Sequence, residues 1–227
     1  LPKDYINYLL TGVHSCDYSD ASGMLLLDVK NKKWSDEMIE ICSIKKEQLP
    51  ELFESYEVIG KIKAETAKEF SISEDCIVVA GAGDNAAAAV GTGTVGDGSC
   101  NISIGTSGTV FISSEKFGVD KNNSLHSFAH ADGGFHLMGC ILSAAVCNKW
   151  FCDDILGNSN YQLLQSEISD NDLGNNNVFY LPYLMGERSP INDTDARSTF
   201  TGMTLDTKRK DMRSEERRVG KECRSRW

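Results

Sequence analysis

Residues 1–212 of this 227-residue chain read as an α/β fold, in parts of two domains. Three observations carry that reading. A short β-branched apolar run at 76–80, a turn of small residues and an alanine-rich helix follow one another, as at the strand–helix junctions of an open sheet. After Gly91 the pattern changes to strands joined by glycine-rich turns. A helical stretch at 143–156 follows that meander, which differs from the α/β half before it and places a boundary near Val95-Gly96.

The elements follow in order. Pro2 suits a first helical turn, Tyr5, Tyr8 and Leu9 recur at helical spacing, and Gly12 ends the helix. Residues 17–27 read as a polar loop running into a short apolar segment. Ser35 caps a second helix with an acidic first turn and an apolar side of Met38, Ile39 and Cys42. Pro50 breaks the chain, 58–62 is a strand around Gly60, and 64–70 is a helix. The run 76–80 reads as a buried strand. Beyond the boundary, 99–104 and 109–113 are strands about a Gly105-Thr106-Ser107-Gly108 turn, and 124–130 and 135–140 form a second hairpin. The helix at 143–156 offers Ala144, Ala145, Trp150, Phe151 and Ile155 for packing. A polar loop covers 166–177, a strand 178–184, a loop 186–190 and a strand-like stretch 196–203.

Composition excludes several classes. With 41% hydrophobic and 25% charged residues the chain is globular, not disordered. The longest apolar candidate, 76–90, is broken by Gly81, Gly83 and Asp84, so no membrane helix is expected, and no apolar leader opens the chain. A net charge of −10 argues against a nucleic-acid partner. Eight cysteines form no CxxC pair, and Cys76, Cys100 and Cys140 read as buried, reduced thiols of a cytoplasmic protein. The four histidines lack metal-ligand spacing. His126 and His130 sit four apart in a strand-like run, over ~13 Å from each other, and read as structural.

Residues 213–227 stand apart. Six basic and three acidic residues among fifteen, with no apolar periodicity, follow a stretch at 205–212 that starts a helix without an apolar face. The peptide is similar to the in-frame translation of a common sequencing adapter. It is expected to be non-native and to pack on nothing.

Two places could carry chemistry. Asp84 stands just past the strand at the start of the alanine-rich helix, where a carboxylate can accept a hydroxyl proton, although Asp is also a favoured N-cap. Gly105-Thr106-Ser107-Gly108 offers amides and two hydroxyls to a phosphate, or is an ordinary hairpin turn. The GxGxxG match at 91–96 follows a helix and leads into strands, the wrong context for a dinucleotide.

Six stretches in order, LPKDYINYLLTG, DYSDASGMLLLDVKNKKW, VVAGAGDNAAAAVG, SIGTSGTVF, GCILSAAVCNKWF and FYLPYLMGERSPINDTDARSTFTGM, together resemble the FGGY family of carbohydrate kinases over essentially all of residues 1–212. Ser198 departs from the pattern, which commonly has Gly after Ala-Arg. The resemblance implies an actin-like ATPase fold of two ribonuclease-H-like domains. Residues 1–95 would be the C-terminal part of the sugar-binding domain, and 96–212 the N-terminal part of the nucleotide-binding domain. It implies phosphorylation of a ketose, D-xylulose foremost, at its terminal hydroxyl, with ATP and Mg2+. Gluconate, ribulose, fuculose and glycerol kinases of the same family, and a non-catalytic actin-like domain, are the alternatives; GDNAA in place of a GDQQA-type motif argues against glycerol. The resemblance makes Asp84 the general base, and puts Asp84 and Asn85 at the sugar. It puts Gly105, Thr106, Ser107 and Gly108 at the ATP phosphates and turns the helix start at Ala145 toward the nucleotide. The family's first phosphate loop and magnesium-linked Asp are expected upstream of Leu1 and its adenine site downstream of Met212. Residues 1–227 alone are therefore expected to be inactive and to hold no metal ligand. A homodimer of the full-length enzyme is left open.

Overall fold

The computed structural model describes residues 1–169 and 177–222. The chain begins with α1 (Pro2–Thr11), β1 (Ser15–Asp17), α2 (Tyr18–Ala21), β2 (Leu27–Asp28), β3 (Lys33–Trp34) and α3 (Asp36–Ile41). Then come β4 (Glu51–Phe53), β5 (Val58–Lys61), α4 (Ala64–Phe70), β6 (Ile77–Val79) and α5 (Asp84–Gly91). The meander is β7 (Cys100–Ile104), β8 (Gly108–Ser114), β9 (His126–Ala129) and β10 (Phe135–Ile141), a sheet in the order β7-β8-β10-β9. Last come α6 (Ala145–Trp150), α7 (Tyr161–Ser166), β11 (Phe179–Leu181), β12 (Thr199–Thr201) and α8 (Arg209–Glu222). Most of the expected polar loop at 166–177 lies outside the described residues.

Two compact units result. The first holds Leu1–Asn101, Phe111–Asp120 and His126–Met138. Its α1 ends where the Gly12 amide donates to Tyr8 O at 2.7 Å. One core gathers Cys16, Ala21, Leu27 and Trp34, with Tyr18 and Leu52 packed against it. Trp34 keeps its indole N–H satisfied on Pro50 O at 2.9 Å. A second core joins Ala89 of α5 to Phe111 and Met138. The pairings β1 with β4 (parallel), β5 with β6 and β9 with β10 (both antiparallel) complete it.

Two expectations fail in this unit. Residues 17–27 are not a polar loop: Asp17 ends a buried strand and caps α2, accepting from Ser19 N and Asp20 N. Nor is the 76–80 run buried. Ile77 and Val79 are 57% and 41% exposed, because β6 pairs with β5 alone in a two-stranded sheet. The apolar run predicted a strand correctly, but β-branched residues favour strands whether or not a second layer covers them.

Cys76 and Cys100 are likewise exposed and Cys140 half-buried, whereas Cys16, Cys147 and Cys152 are buried. All seven described cysteines are free. Burial pushes the Cys16 thiol far above the ordinary thiol range. Of the seven described cysteines, a thiol reagent on the native chain at pH 8 is therefore expected to modify Cys42, Cys76 and Cys100 first, read by peptide mass mapping. Early labelling of Cys16 would contradict this packing.

Two of the histidines lie in the interior of this unit. His130 is buried with Nε2 at 2.9 Å from Thr94 O, while its Nδ1 accepts from Ala131 N at 2.8 Å. His136 stacks on Phe111, centroids 3.9 Å apart. Its burial, then the neighbouring His130, push its pKa down to about 3. The folded chain thus refuses a proton that the unfolded chain takes near pH 6.5. The stabilisation is fully present above pH 6.5 and is lost as pH falls toward 3. Urea unfolding at pH 7 and pH 5 is expected to differ by about 2 kcal/mol through this group, and His136→Phe should remove that difference.

The second unit holds Ile102–Val110, Lys121–Leu125 and the described residues from Gly139 on. The expected helix at 143–156 is α6 continued by one wider π turn, Phe151–Ile155, with Phe151 and Cys152 buried. Phe200 of β12 stacks on Tyr180 of β11 at 4.4 Å and meets Phe151 at 5.5 Å. The 213–227 peptide, expected to pack on nothing, does pack where it is described. Arg213, Ser214 and Glu215 lie in α8 and are buried, and Glu215 Oε1 accepts from Tyr180 N at 3.2 Å. Arg, Lys and Glu are good helix formers, so a helix needs no apolar stripe, and a hydrogen bond to the Tyr180 amide helps to seat it.

Candidate functional site

In the first unit the chain leaves β6 through a turn of small residues. Ala80 O accepts from Asn7 Nδ2 at 2.8 Å and Lys3 Nζ at 3.1 Å. Gly81 turns at φ +79°, and a Cβ there would lie 3.1 Å from the Lys3 stem, so a larger residue at this bend would be strained and would push Lys3 aside. Gly83, with φ −59° and ψ 148°, is the N-cap of α5, and its amide donates to Ser19 Oγ at 3.0 Å. Asp84 is therefore the first helical residue rather than the cap. The macrodipole favours an acid at that position.

The Asp84 carboxyl is exposed. Its Oδ1 accepts from Asn85 N (2.7 Å) and Asn85 Nδ2 (3.1 Å), and its Oδ2 has no hydrogen bond among the described residues. Ala87 and Ala88 are exposed beside it while Ala86 and Ala89 face the interior, so no bulky side chain on α5 covers the carboxylate. A carboxylate held on one oxygen and open on the other can take a proton from a hydroxyl. Asn85 holds Asp84, and its remaining amide capacity faces outward with it.

In the second unit the hairpin turn between β7 and β8 meets the start of α6. Ala144 N and Ala145 N donate to Thr106 O and Gly105 O at 2.9 Å each, and Val146 N to Thr106 O at 3.4 Å. Gly108 permits this approach: a Cβ there would stand 2.9 Å from Ile141 Cγ1 and 3.3 Å from Ala144 Cβ. The amides at the helix start, expected to face a nucleotide, are thus spent on the turn. The turn retains the free donors. Among the described residues neither the amides nor the hydroxyls of Thr106 and Ser107 donate to any group, and both residues are exposed.

Thr106 and Ala145 line an open cleft of about 320 Å3 with Val146, Asn148, Lys149 and Tyr161. Lys149 is an element the sequence reading missed. It pairs with Asp153 at 2.5 Å, and Asp153 also accepts the Tyr161 hydroxyl at 2.7 Å. The pairing raises the Lys149 pKa and lowers that of Asp153, keeping both charged. Backbone donors, hydroxyls and one ammonium around a cleft suit an anion.

The reading also missed Lys3, Asp17 and Ser19, which lie beneath the turn that carries Asp84. A signal was present: Asp17 two and three residues ahead of Ser19 and Asp20 is the spacing of an N-cap. Asp84 and Asn85 belong to the first unit; Gly105, Thr106, Ser107, Gly108 and Ala145 belong to the second. Among the described residues no three His, Cys, Asp or Glu groups are placed to hold a metal ion.

Comparison with known proteins matches both halves. Residues 1–91 match the FGGY family of carbohydrate kinases, N-terminal domain, and residues 100–214 match the C-terminal domain of the same family. The xylulose kinase of Escherichia coli strain K12 is 42% identical over 205 residues, covering 90% of this chain and 42% of that protein. The crystal structure of a kinase from Brucella ovis, described as a xyloylose kinase, superposes with a TM-score of 0.90 at 38% identity, over 95% of this chain and 44% of that one. A gluconate kinase structure from Lactobacillus acidophilus superposes with a TM-score of 0.85 at 29% identity, over 94% and 44% of the two chains. The chain spans about two fifths of the length of the curated relatives it matches. Their shared fold is the actin-like, ribonuclease-H-like one that the six sequence stretches implied. Two consecutive matches in the family's own domain order, on a backbone that superposes this closely, make the chain a member of the FGGY family of carbohydrate kinases.

Proposed function

We propose that the kinase carrying this chain transfers the γ-phosphoryl group of ATP to the terminal hydroxyl of D-xylulose, giving D-xylulose 5-phosphate. The observation that carries the reading is the Asp84 carboxylate, open on Oδ2 at the head of an alanine-lined helix. Asp84 takes the proton of the sugar hydroxyl as that oxygen attacks phosphorus, and Asn85 holds the carboxylate and faces the sugar. The free amides and hydroxyls of Thr106 and Ser107, with Gly105 and Gly108 shaping the turn, receive phosphate oxygens, and Lys149 adds a positive charge. Ala145 forms the cleft floor beside them. Residues 1–95 serve the sugar and 96–212 the nucleotide. The same proposal assigns the reaction to the cytoplasm.

The sugar is supported by the xylulose kinases among the relatives, while the gluconate kinase neighbour supplies the competing substrate. A coupled ADP-release assay on the intact kinase, with D-xylulose, D-gluconate and glycerol in parallel, decides between them. D-Xylulose is expected to give a kcat/KM at least about tenfold above the others, since a site built to bond a given hydroxyl set rejects analogues that leave its groups unpaired. A higher value with gluconate would reassign the substrate.

A further inference from the structure

We propose that Asp17 is a positioning residue for Asp84, acting through Lys3, Ser19 and Ser55, which tether the turn at 80–83. The proposal rests on the reading of Asp84 as the base. Asp17 is fully buried. Its Oδ2 accepts from Ser19 N (2.9 Å), Ser19 Oγ (2.5 Å), Ser55 Oγ (3.0 Å) and Asp20 N (3.3 Å). Its Oδ1 pairs with Lys3 Nζ at 2.9 Å.

Each of Lys3, Ser19 and Ser55 also grips the turn. Lys3 Nζ donates to Ala80 O, Ser55 O accepts from Gly81 N at 3.0 Å, and Ser19 Oγ accepts from Gly83 N at 3.0 Å. Two tethers are independent of Asp17: Asn7 on Ala80 O, and Glu57 O, which accepts from Ala80 N at 2.9 Å. The direction of the Ser19 bond is dictated. A hydroxyl has one proton; Asp17 Oδ2 can only accept it, so the Ser19 oxygen is left to accept from Gly83. Burial works against the Lys3 charge, but Asp4 and Asp17 outweigh it and hold its pKa above the ordinary lysine value. One buried carboxylate thus orders the backbone immediately before Asp84, far beyond what capping a four-residue helix requires. Placement at this level matters to phosphoryl transfer, where a shift of about 1 Å can cost ~100-fold.

The test uses Ser19→Ala, which removes the Gly83 acceptor, and Ser19→Thr, which restores a hydroxyl. Leu27→Ala serves as a comparison that loosens the first core without touching the network. Native-state hydrogen exchange on the full chain should show the Gly83 amide exchanging at least about tenfold faster in Ser19→Ala than in Leu27→Ala, with recovery in Ser19→Thr. In the intact kinase Ser19→Ala should lower kcat by about 10- to 100-fold with the KM for ATP within about twofold, again with recovery in Ser19→Thr. An unchanged Gly83 exchange rate overturns the tether. Faster exchange with unchanged kcat overturns the positioning role. Should Asp84→Asn retain full turnover, the base assignment falls instead, and the exchange arm still scores the tether by itself.

Discussion

Asp84→Asn in the intact kinase is expected to lower kcat by roughly 10²–10⁴-fold, the worth of a positioned general base. The substitution should leave sugar affinity within a few-fold, because the amide keeps the shape and one hydrogen-bonding oxygen. It should also leave stability close to that of the parent. Asp84 is exposed, and the cap of α5 is the Gly83 backbone rather than the Asp84 side chain. Loss in kcat and in kcat/KM by the same factor is the signature of an interaction made only in the transition state. Steady-state kinetics with the sugar varied, alongside a urea melt, separates the outcomes. Turnover near the parent level would remove Asp84 from the mechanism.

Much of this was legible in the residues before any coordinates. Local signals were the reliable ones: Pro2 and Gly12 bracket α1, Ser35 caps α3 with its hydroxyl on Met38 N, and the two hairpins sit about their glycine turns. These depend on a few neighbouring residues, so a sequence can state them. Burial was less legible, because it depends on what lies across the layer. Cys76, Ile77 and Val79 have the composition of an inner strand and the exposure of an outer one. The site was half legible for the same reason. Asp84 and the Gly105–108 turn announce themselves by motif, whereas Asp17 meets Lys3, Ser55 and, through Ser19, Gly83 across separations of up to 64 residues. Nothing in a polar run at 17–20 signals that its first residue will be buried. The 213–215 contact was missed because it includes a carboxylate accepting from the amide of Tyr180, 35 residues away in sequence.

Phe151→Ala is expected to cost about 3–5 kcal/mol, the usual toll of emptying a buried aromatic site. Phe151 is 1% exposed and meets Phe200, which in turn stacks on Tyr180, so the ring joins the end of α6 to the β11–β12 ribbon. Neighbouring side chains cannot close over the gap, since Phe200 is already engaged on its other face. Ile155, one turn on and 52% exposed, provides the comparison: Ile155→Ala should change stability by no more than about 0.5 kcal/mol. Equilibrium urea unfolding followed by circular dichroism reads both. Equal losses would mean that the aromatic cluster is not what holds this end of the helix.

The hydrogen bonds from Ala144, Ala145 and Val146 to the carbonyls of Gly105 and Thr106 make the hairpin turn and the first turn of α6 a single mechanical part. A rivet of this kind has two effects. The turn cannot bend toward a bound anion on its own, so any pull on Thr106 is delivered to α6 as a lever. In the other direction, the same bonds couple the turn to the helix whose far end lies beside Phe151.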